Sequence, residues 1–365
     1  MHLNDLLNKV IEIDASDLHL RADEPPIFRV RGELIRGDMA PLSGTQIRDL
    51  MYAVLDQDRI DRFEKQRELD VAHEVPGKAR FRVNIFFQQK QVGAALRLIP
   101  YLIRSVDELG MPQSVKQMCM RPRGLILVTG PTGSGKSTSL AAMIDYINRN
   151  RKCHILTIEE PIEYMHTDRM SVINQREVHV DTHSYADALR HVMRQNPDVI
   201  LVGEMRDLET IHLAITAAET GHLVFSTLHT QDAPQTVDRI IDVFPPEAQA
   251  QIRMQLSVTL NAVISQTLLA RADTSGRIAA YEMMIATPAI RSLIREGKTH
   301  QLYMDIQTGG DIGMQSLDSH LLSLVNEGKI KYEDGIQRSS NPSDFRQRAQ
   351  KLGIIPADPP AQKAR

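Results

Sequence analysis

The sequence predicts an α/β protein in two parts: a small α+β domain, then a larger domain built on a mostly parallel sheet. Three observations carry this. From Arg123 onward, apolar strands alternate with helical segments, the pattern of a parallel sheet with crossover helices. The first hundred residues instead keep their short strands and their helical stripes apart. Near the start of the later region lies Gly130-Pro131-Thr132-Gly133-Ser134-Gly135-Lys136-Ser137-Thr138, which fits Gly, four residues, Gly, Lys, Ser/Thr and has a strand before it and a helix after it. A chain of 365 residues is long for one core, in keeping with two domains.

Leu3, Leu6, Leu7, Val10 and Ile11 recur at helical spacing and form one apolar stripe. Asp17-Leu18-His19-Leu20 alternates like a strand. Pro25-Pro26 leads into a second at 27–30, and Arg31-Gly32-Glu33 turns the chain toward Leu34-Ile35. A helix is expected over 45–55, then strands at 69–74, 80–87 and 93–99. These fill a domain of residues 1–100, with a linker at 101–111 and the second domain at 112–340. Its strands are expected at 125–129, 155–158, 199–202, 223–227 and 278–285. Ser184 to Asp187 reads as a capping box opening a helix that stops at Asn196-Pro197, and Asp207 caps another running to Glu219. A third helix is expected from about 247 to 269. The polar, Pro-rich end, 341–365, is expected to be disordered.

The glycines let backbone N–H groups close around a polyphosphate, and the following helix adds its positive end. Lys136 reaches the outer phosphates and Ser137 offers its hydroxyl to Mg2+, so the loop from Gly130 to Thr138 predicts ATP binding. Ligands of an open parallel sheet gather at the strand C-termini, and reactive side chains flank these strands. The strand at 155–158 delivers Glu159, Glu160 and Glu163; the strand at 199–202 delivers Glu204; the strand at 223–227 is preceded by His222 and followed by His229. Glu204, beyond a buried strand, suits Mg2+ through water, with Glu159 as a metal-side helper. Glu163 is read as the group that activates water, and His229 as a sensor of the terminal phosphate. All are expected to converge on one phosphate.

Composition narrows the alternatives. With 42% hydrophobic and 24% charged residues, the chain is expected to be a soluble globular protein. A net charge of −3, scarce aromatics and no Trp argue against a dedicated nucleic-acid binder. Two isolated cysteines, Cys119 and Cys153, suit a reducing compartment and cannot build a four-cysteine zinc site. The segment Met1-His2-Leu3-Asn4-Asp5 lacks the basic flank of a secretory signal, and no apolar run reaches about 20 residues. A cytoplasmic protein without direct membrane insertion is expected.

Several runs together resemble the secretion and type IV pilus ATPases. Residues 154–164, with Glu159-Glu160-Pro161-Ile162-Glu163, resemble their Asp box; Val202-Gly203-Glu204-Met205-Arg206-Asp207 their atypical Walker B; Ser226-Thr227-Leu228-His229-Thr230 their His box. Ala289-Ile290-Arg291-Ser292-Leu293-Ile294-Arg295-Glu296 resembles a segment of the PilT-type retraction branch, with Ser292 where Asn is usual. Residues 15–20 and 80–84 match that branch's N-terminal domain. The resemblance implies a PAS-like N-terminal domain, a RecA-like ATPase domain and a homohexameric motor. Such a motor powers type IV pilus retraction and twitching motility by acting on an inner-membrane platform protein, with which it associates peripherally.

By the same resemblance Glu163 matches the catalytic glutamate, Glu204 the Walker B glutamate, and His222 and His229 the box histidines. Arg82 and Arg97 match arginines that face phosphate, and Arg194 is a further candidate. Glu160 stands where the family has Asp, which puts the placement of that acid in doubt. An accessory ring partner of another retraction ATPase, and a RecA-like nucleic-acid translocase, are the alternatives. The translocase would need basic phosphate-binding surfaces.

Overall fold

The computed structural model describes residues 2–30, 32–99 and 102–356. The expected turn at Arg31, the start of the expected linker and the last residues of the expected disordered end lie outside these. The chain divides into two compact units, Met1–Leu102 with Glu163–Met165, and Ile103–Ile162 with His166–Arg365.

The first unit is a six-stranded sheet with helices. Its strands are β1 (Ala15–Leu20), β2 (Ile27–Val30), β3 (Glu33–Arg36), β4 (Glu68–Val75), β5 (Ala79–Gln88) and β6 (Gln91–Ile99). They lie in the order β3-β2-β1-β6-β5-β4, and every pairing is antiparallel. Period-2 alternation gives the sheet one apolar face. Phe28, Leu18, Leu96, Val83 and Val71 are cross-strand neighbours in one row, all buried. The same core takes Leu3, Leu6, Leu7 and Val10 of the helix Leu3–Glu12, together with Ile47 and Met51 of the helix Gly44–Tyr52. Each such side chain contributes about 1.5–3 kcal/mol on burial.

The other face of the same sheet carries charge in an equivalent row: Arg29, Asp17, Arg97 and Arg82 sit opposite one another on β2, β1, β6 and β5. The helix expected over 45–55 ends at Tyr52, and a second helix, Gln57–Gln66, follows. Phe63 is the one buried residue of that second helix, so it had no apolar stripe to betray it; Asp56 caps it by accepting the Arg59 N–H at 2.8 Å.

The second unit is a seven-stranded sheet with cores on both faces. Its strands are β7 (Gly124–Thr129), β8 (His154–Glu159), β9 (Val172–Glu177), β10 (Val199–Val202), β11 (Leu223–Leu228), β12 (Leu260–Ala270) and β13 (Arg277–Ile285). The order is β13-β12-β7-β11-β10-β8-β9, parallel throughout except for the antiparallel β12–β13 pair. Leu125 and Leu127 of β7 point into one core, Ile126 and Val128 into the other. Helices Tyr185–Val192, Leu208–Glu219 and Ala233–Asp242 cover the first face, and Lys136–Asn150 the second. Among the described residues no helix is long and apolar enough to cross a membrane.

Four expectations are corrected here. The helix expected over 247–269 ends at Thr259, and Leu260–Ala270 is instead a strand beside β7. A short apolar run buried on both sides reads equally well either way; its Val263-Ile264 pair favours the strand. The edge strand β9 was not foreseen, because Asn174, Gln175 and Arg176 give it no apolar face. Residues 103–111, expected as a linker, belong to the second unit, where Val106 and Met111 are buried. Much of the end expected to be disordered is a helix, Pro342–Lys351. Asn341 caps it, and Phe345 and Ala349 are buried one turn apart against Leu321 and Ile330.

Candidate active site

Three glycines shape the loop after β7. Gly130, Gly133 and Gly135 have φ of 141°, 78° and 91°, a region that side chains rarely enter. At Gly130 a Cβ would also stand 2.3 Å from the Gln266 carbonyl oxygen. The helix Lys136–Asn150 starts from Gly135 with no side-chain cap, and its positive N-terminal end faces the loop, a setting that favours an anion. Lys136 arches back over the loop, its Nζ donating to the carbonyls of Gly130 at 2.8 Å and Pro131 at 3.2 Å. Pro131, Thr132 and Gly133 are exposed, whereas Ser137 and Thr138 are half-buried at the helix start.

A residue that sequence reasoning missed holds this loop. Gln266, buried in β12, donates from Nε2 to the Ser134 carbonyl at 2.7 Å and accepts from Ser139 Oγ at 2.8 Å. Beside it, Thr129 Oγ1 donates to Ser265 Oγ at 2.9 Å. Reading this segment as helix hid both residues, since only strand pairing with β7 brings them to the loop.

Parallel register sets what else lies at this end of the sheet. Leu228 of β11 pairs with Thr129 of β7, and Val202 of β10 with Ser226 of β11. The residues after these strands therefore emerge on the side of the phosphate loop. Thr227 Oγ1 donates to the Gly203 carbonyl at 2.7 Å, and Met205 N–H to the Thr227 carbonyl at 3.2 Å, tying β10 to β11. Glu204 and His229 meet there, Oε1 to Nε2 at 3.0 Å. Arg206, also unforeseen, donates from Nη2 to the other carboxylate oxygen at 2.7 Å. Burial pushes the Glu204 carboxyl up, but the Arg206 and His229 partners outweigh it and hold the group below its ordinary value. It is an anion held in place at a strand end.

Glu159 ends β8 at the same edge, accepting from Thr157 Oγ1 at 2.6 Å and Gln175 Nε2 at 3.1 Å. Glu160 Oε1 lies 3.0 Å from His179 Nε2. Glu163 is exposed and groups with the first unit, together with Tyr164 and Met165. In that unit Arg97 Nε lies 2.8 Å from Asp17 Oδ1, and Arg82 Nε lies 3.6 Å from Asp70 Oδ1. Burial raises the Asp17 carboxyl, yet Arg97 beside it brings it net below its ordinary value.

Two expected phosphate contacts are corrected. His222 precedes β11, and its carbonyl accepts the Gly124 N–H at 3.0 Å, at the very start of β7. It therefore lies at the opposite edge of the sheet, about 20 Å from the loop at 3.3 Å per strand residue. Its Nδ1 is 2.9 Å from the Ala217 carbonyl, a bond that closes the preceding helix. Arg194 is exposed in the link that enters β10 and so also lies toward the strand starts. Flanking a strand is not enough; this site gathers at the C-terminal side of the parallel strands.

Among the described residues no three His, Cys, Asp or Glu side chains form a metal cage. The arrangement suits Mg2+ differently: a hydroxyl at the helix start and an ionised carboxylate at a neighbouring strand end, with phosphates and waters completing the shell. A helix N-terminus without a side-chain cap, a lysine over the loop and a fixed anion beside a histidine together fit a magnesium-bound triphosphate.

The Type II/IV secretion system protein family matches residues 1–329. The chain is 52% identical over 345 residues to the type IV pilus retraction ATPase PilT of Pseudomonas aeruginosa, covering 94% of this chain and 100% of that one. It is 49% identical over 316 residues to a twitching motility protein of Neisseria gonorrhoeae, covering 87% of this chain and 84% of that protein. A crystal structure of the pilus retraction motor PilT with bound ADP superposes with a TM-score of 0.89 at 45% identity, covering 95% of this chain and 99% of that chain.

Proposed function

The chain belongs to the Type II/IV secretion system protein family, and from that premise we propose that it is an ATP-hydrolysing motor of type IV pilus retraction. The observation that carries this reading is the Glu204–His229 pair, fixed at the strand ends on the side of the glycine loop. Its family members include proteins named for pilus retraction and twitching, matched along nearly their whole length.

In this reading the loop amides and Lys136 bind the triphosphate, and hydrolysis follows mainly from positioning and charge neutralisation. Ser137 and Glu204 would hold Mg2+, with Glu159 supporting it; the ion, when bound, neutralises charge on the outer phosphate oxygens. His229 changes hydrogen-bond partner with the state of the terminal phosphate, passing that state to Glu204. Glu163 activates water, a role assigned by resemblance. Arg82 and Arg97 serve phosphate only by exchanging Asp70 and Asp17 for it, which makes their contribution switchable. The working assembly is a homohexamer at the cytoplasmic face of the inner membrane, acting on the pilus platform protein.

Phosphate release by the purified protein tests the chemistry. Glu163→Gln should retain ATP binding and lose turnover; near-normal turnover would remove Glu163 from the mechanism. Cells lacking the protein should carry surplus pili that fail to retract. Bald cells would assign it to pilus extension instead.

A further inference from the structure

The strand-start edge of the second unit carries a cleft that the nucleotide chemistry does not use. It has two lobes, of about 320 and 410 Å³, which share Arg121, Asn261 and Arg291. Arg123, immediately before β7, adds a third guanidinium to the first lobe. The phosphate loop leaves from the other end of β7, so the cleft stands about 20 Å away from it. We propose that this cleft docks an acidic peptide segment of a partner protein, its carboxylates on Arg121, Arg123 and Arg291 and its aliphatic side chains on Val258 and Ile312.

Charge is the first argument. Among the described residues none of the three arginines is ion-paired with a carboxylate, and Glu219 is the one acid lining either lobe. Glu219 itself accepts from Gln255 Nε2 at 2.9 Å. Arg291 is held rigid: Nε donates to the Ala286 carbonyl at 3.0 Å and Nη1 to the Ser257 carbonyl at 2.6 Å. These bonds use two of its five N–H groups and leave the rest of the fork for a ligand. Burial, and then the positive charge of Arg121, hold its pKa below the ordinary value, so an arriving anion relieves a repulsion already present.

The walls choose among anions. Val258 is 55% exposed and Ile312 50%, one on each lobe, so apolar surface continues on either side of the shared arginines. A compact phosphate would neutralise the guanidinium groups and leave both side chains in water. An extended chain alternating acidic and aliphatic residues covers both, by burial and by charge-assisted hydrogen bonds. No aromatic side chain lines either lobe, so a nucleobase finds no stacking surface.

A fluorescein-labelled decapeptide of alternating Glu and Leu, titrated against the full-length protein by fluorescence anisotropy, tests this. Wild type should bind it, and less tightly in about 0.5 M salt, where surface charges are screened. Arg121→Glu combined with Arg123→Glu, both at exposed positions, should weaken binding about tenfold or more while ATP turnover stays unchanged. The proposal fails if wild type does not bind, if the double variant binds equally well, or if inorganic phosphate displaces the peptide at matched charge, which would mark a small-anion site. A changed oligomeric state in the double variant would give the cleft to a neighbouring copy and overturn the proposal too. Loss of ATP turnover would show instead that the pilus motor's own chemistry had been disturbed; this proposal and the motor reading thus fail by different measurements.

Discussion

The two ends of the seven-stranded sheet are made of the same strands yet carry opposite chemistry. Where β7, β10 and β11 finish, the chain places a glycine loop, a fixed carboxylate and a histidine. Where the same strands begin, it places Arg121, Arg123 and His222. His222 and His229 differ in number by seven and flank one strand, but a parallel strand of this length separates them by the full height of the sheet. Strand direction, which sequence proximity conceals, decides which histidine can meet a phosphate.

That contrast can be broken or sharpened by substitution. The largest effect belongs to the finishing end: under the proposed mechanism Lys136→Ala and Glu204→Ala should each lower steady-state phosphate release by about 10³-fold, the cost of a lost transition-state charge. Turnover near wild type in either would end the assignment of this edge to catalysis.

Next in size is Glu282 on β13, which accepts the Ala233 N–H at 2.9 Å and so anchors the helix that follows His229. Burial pushes this carboxyl from 4.5 up to about 7. Between those values the folded chain holds a proton that the unfolded chain has released, so stability falls as pH rises through the window. The loss is complete above about pH 7 and is on the order of 3 kcal/mol. Thermal melts of Glu282→Gln should show a flatter pH dependence from 4.5 to 7 than wild type; parallel curves would mean that the group does not titrate there.

Gln266→Leu removes one hydrogen bond to the loop and one to the helix after it, at about 1 kcal/mol each, which predicts a lowered melting temperature and a rise in KM for ATP of up to about tenfold. An unchanged KM would show that the glycines hold the loop unaided. Smallest is the histidine pair: His229→Ala should lower kcat about fivefold, a loss near 1 kcal/mol, and His222→Ala less than about twofold. The reverse order would dissolve the distinction between the two ends.

The parts of this site that could be read in the sequence were those with local signatures. The glycine loop announces itself because left-handed backbone requires glycine at fixed offsets, and Glu204 because an acid follows an apolar strand. Helix caps at Ser184 and Asp207 were legible for the same reason: the hydroxyl or carboxylate lies three residues from the N–H it accepts. What escaped depends on pairing between distant segments. Gln266 and Ser134 are 132 residues apart, and no local pattern joins them. Arg206 lies in the run that resembles the Walker B, yet its spacing gives it no role; only its bond to Glu204 in the structure does. The helix Pro342–Lys351 was hidden by its polar majority, since two buried residues suffice to dock it.

The β12–β13 hairpin joins distant parts of this unit. Gln266 on one limb grips the glycine loop, and its register partner on the other limb is Tyr281. The Tyr281 N–H donates to His320 Nδ1 at 2.9 Å, and the carboxylate of the next residue, Glu282, accepts the Ala233 N–H at the start of the helix beyond His229. A shift of the loop that strained Gln266 would therefore be carried toward the C-terminal helices through paired backbone. Tied at both limbs in this way, the hairpin would act as a connecting rod, its stiffness limiting how much of any movement of the glycine loop is lost before the far helices.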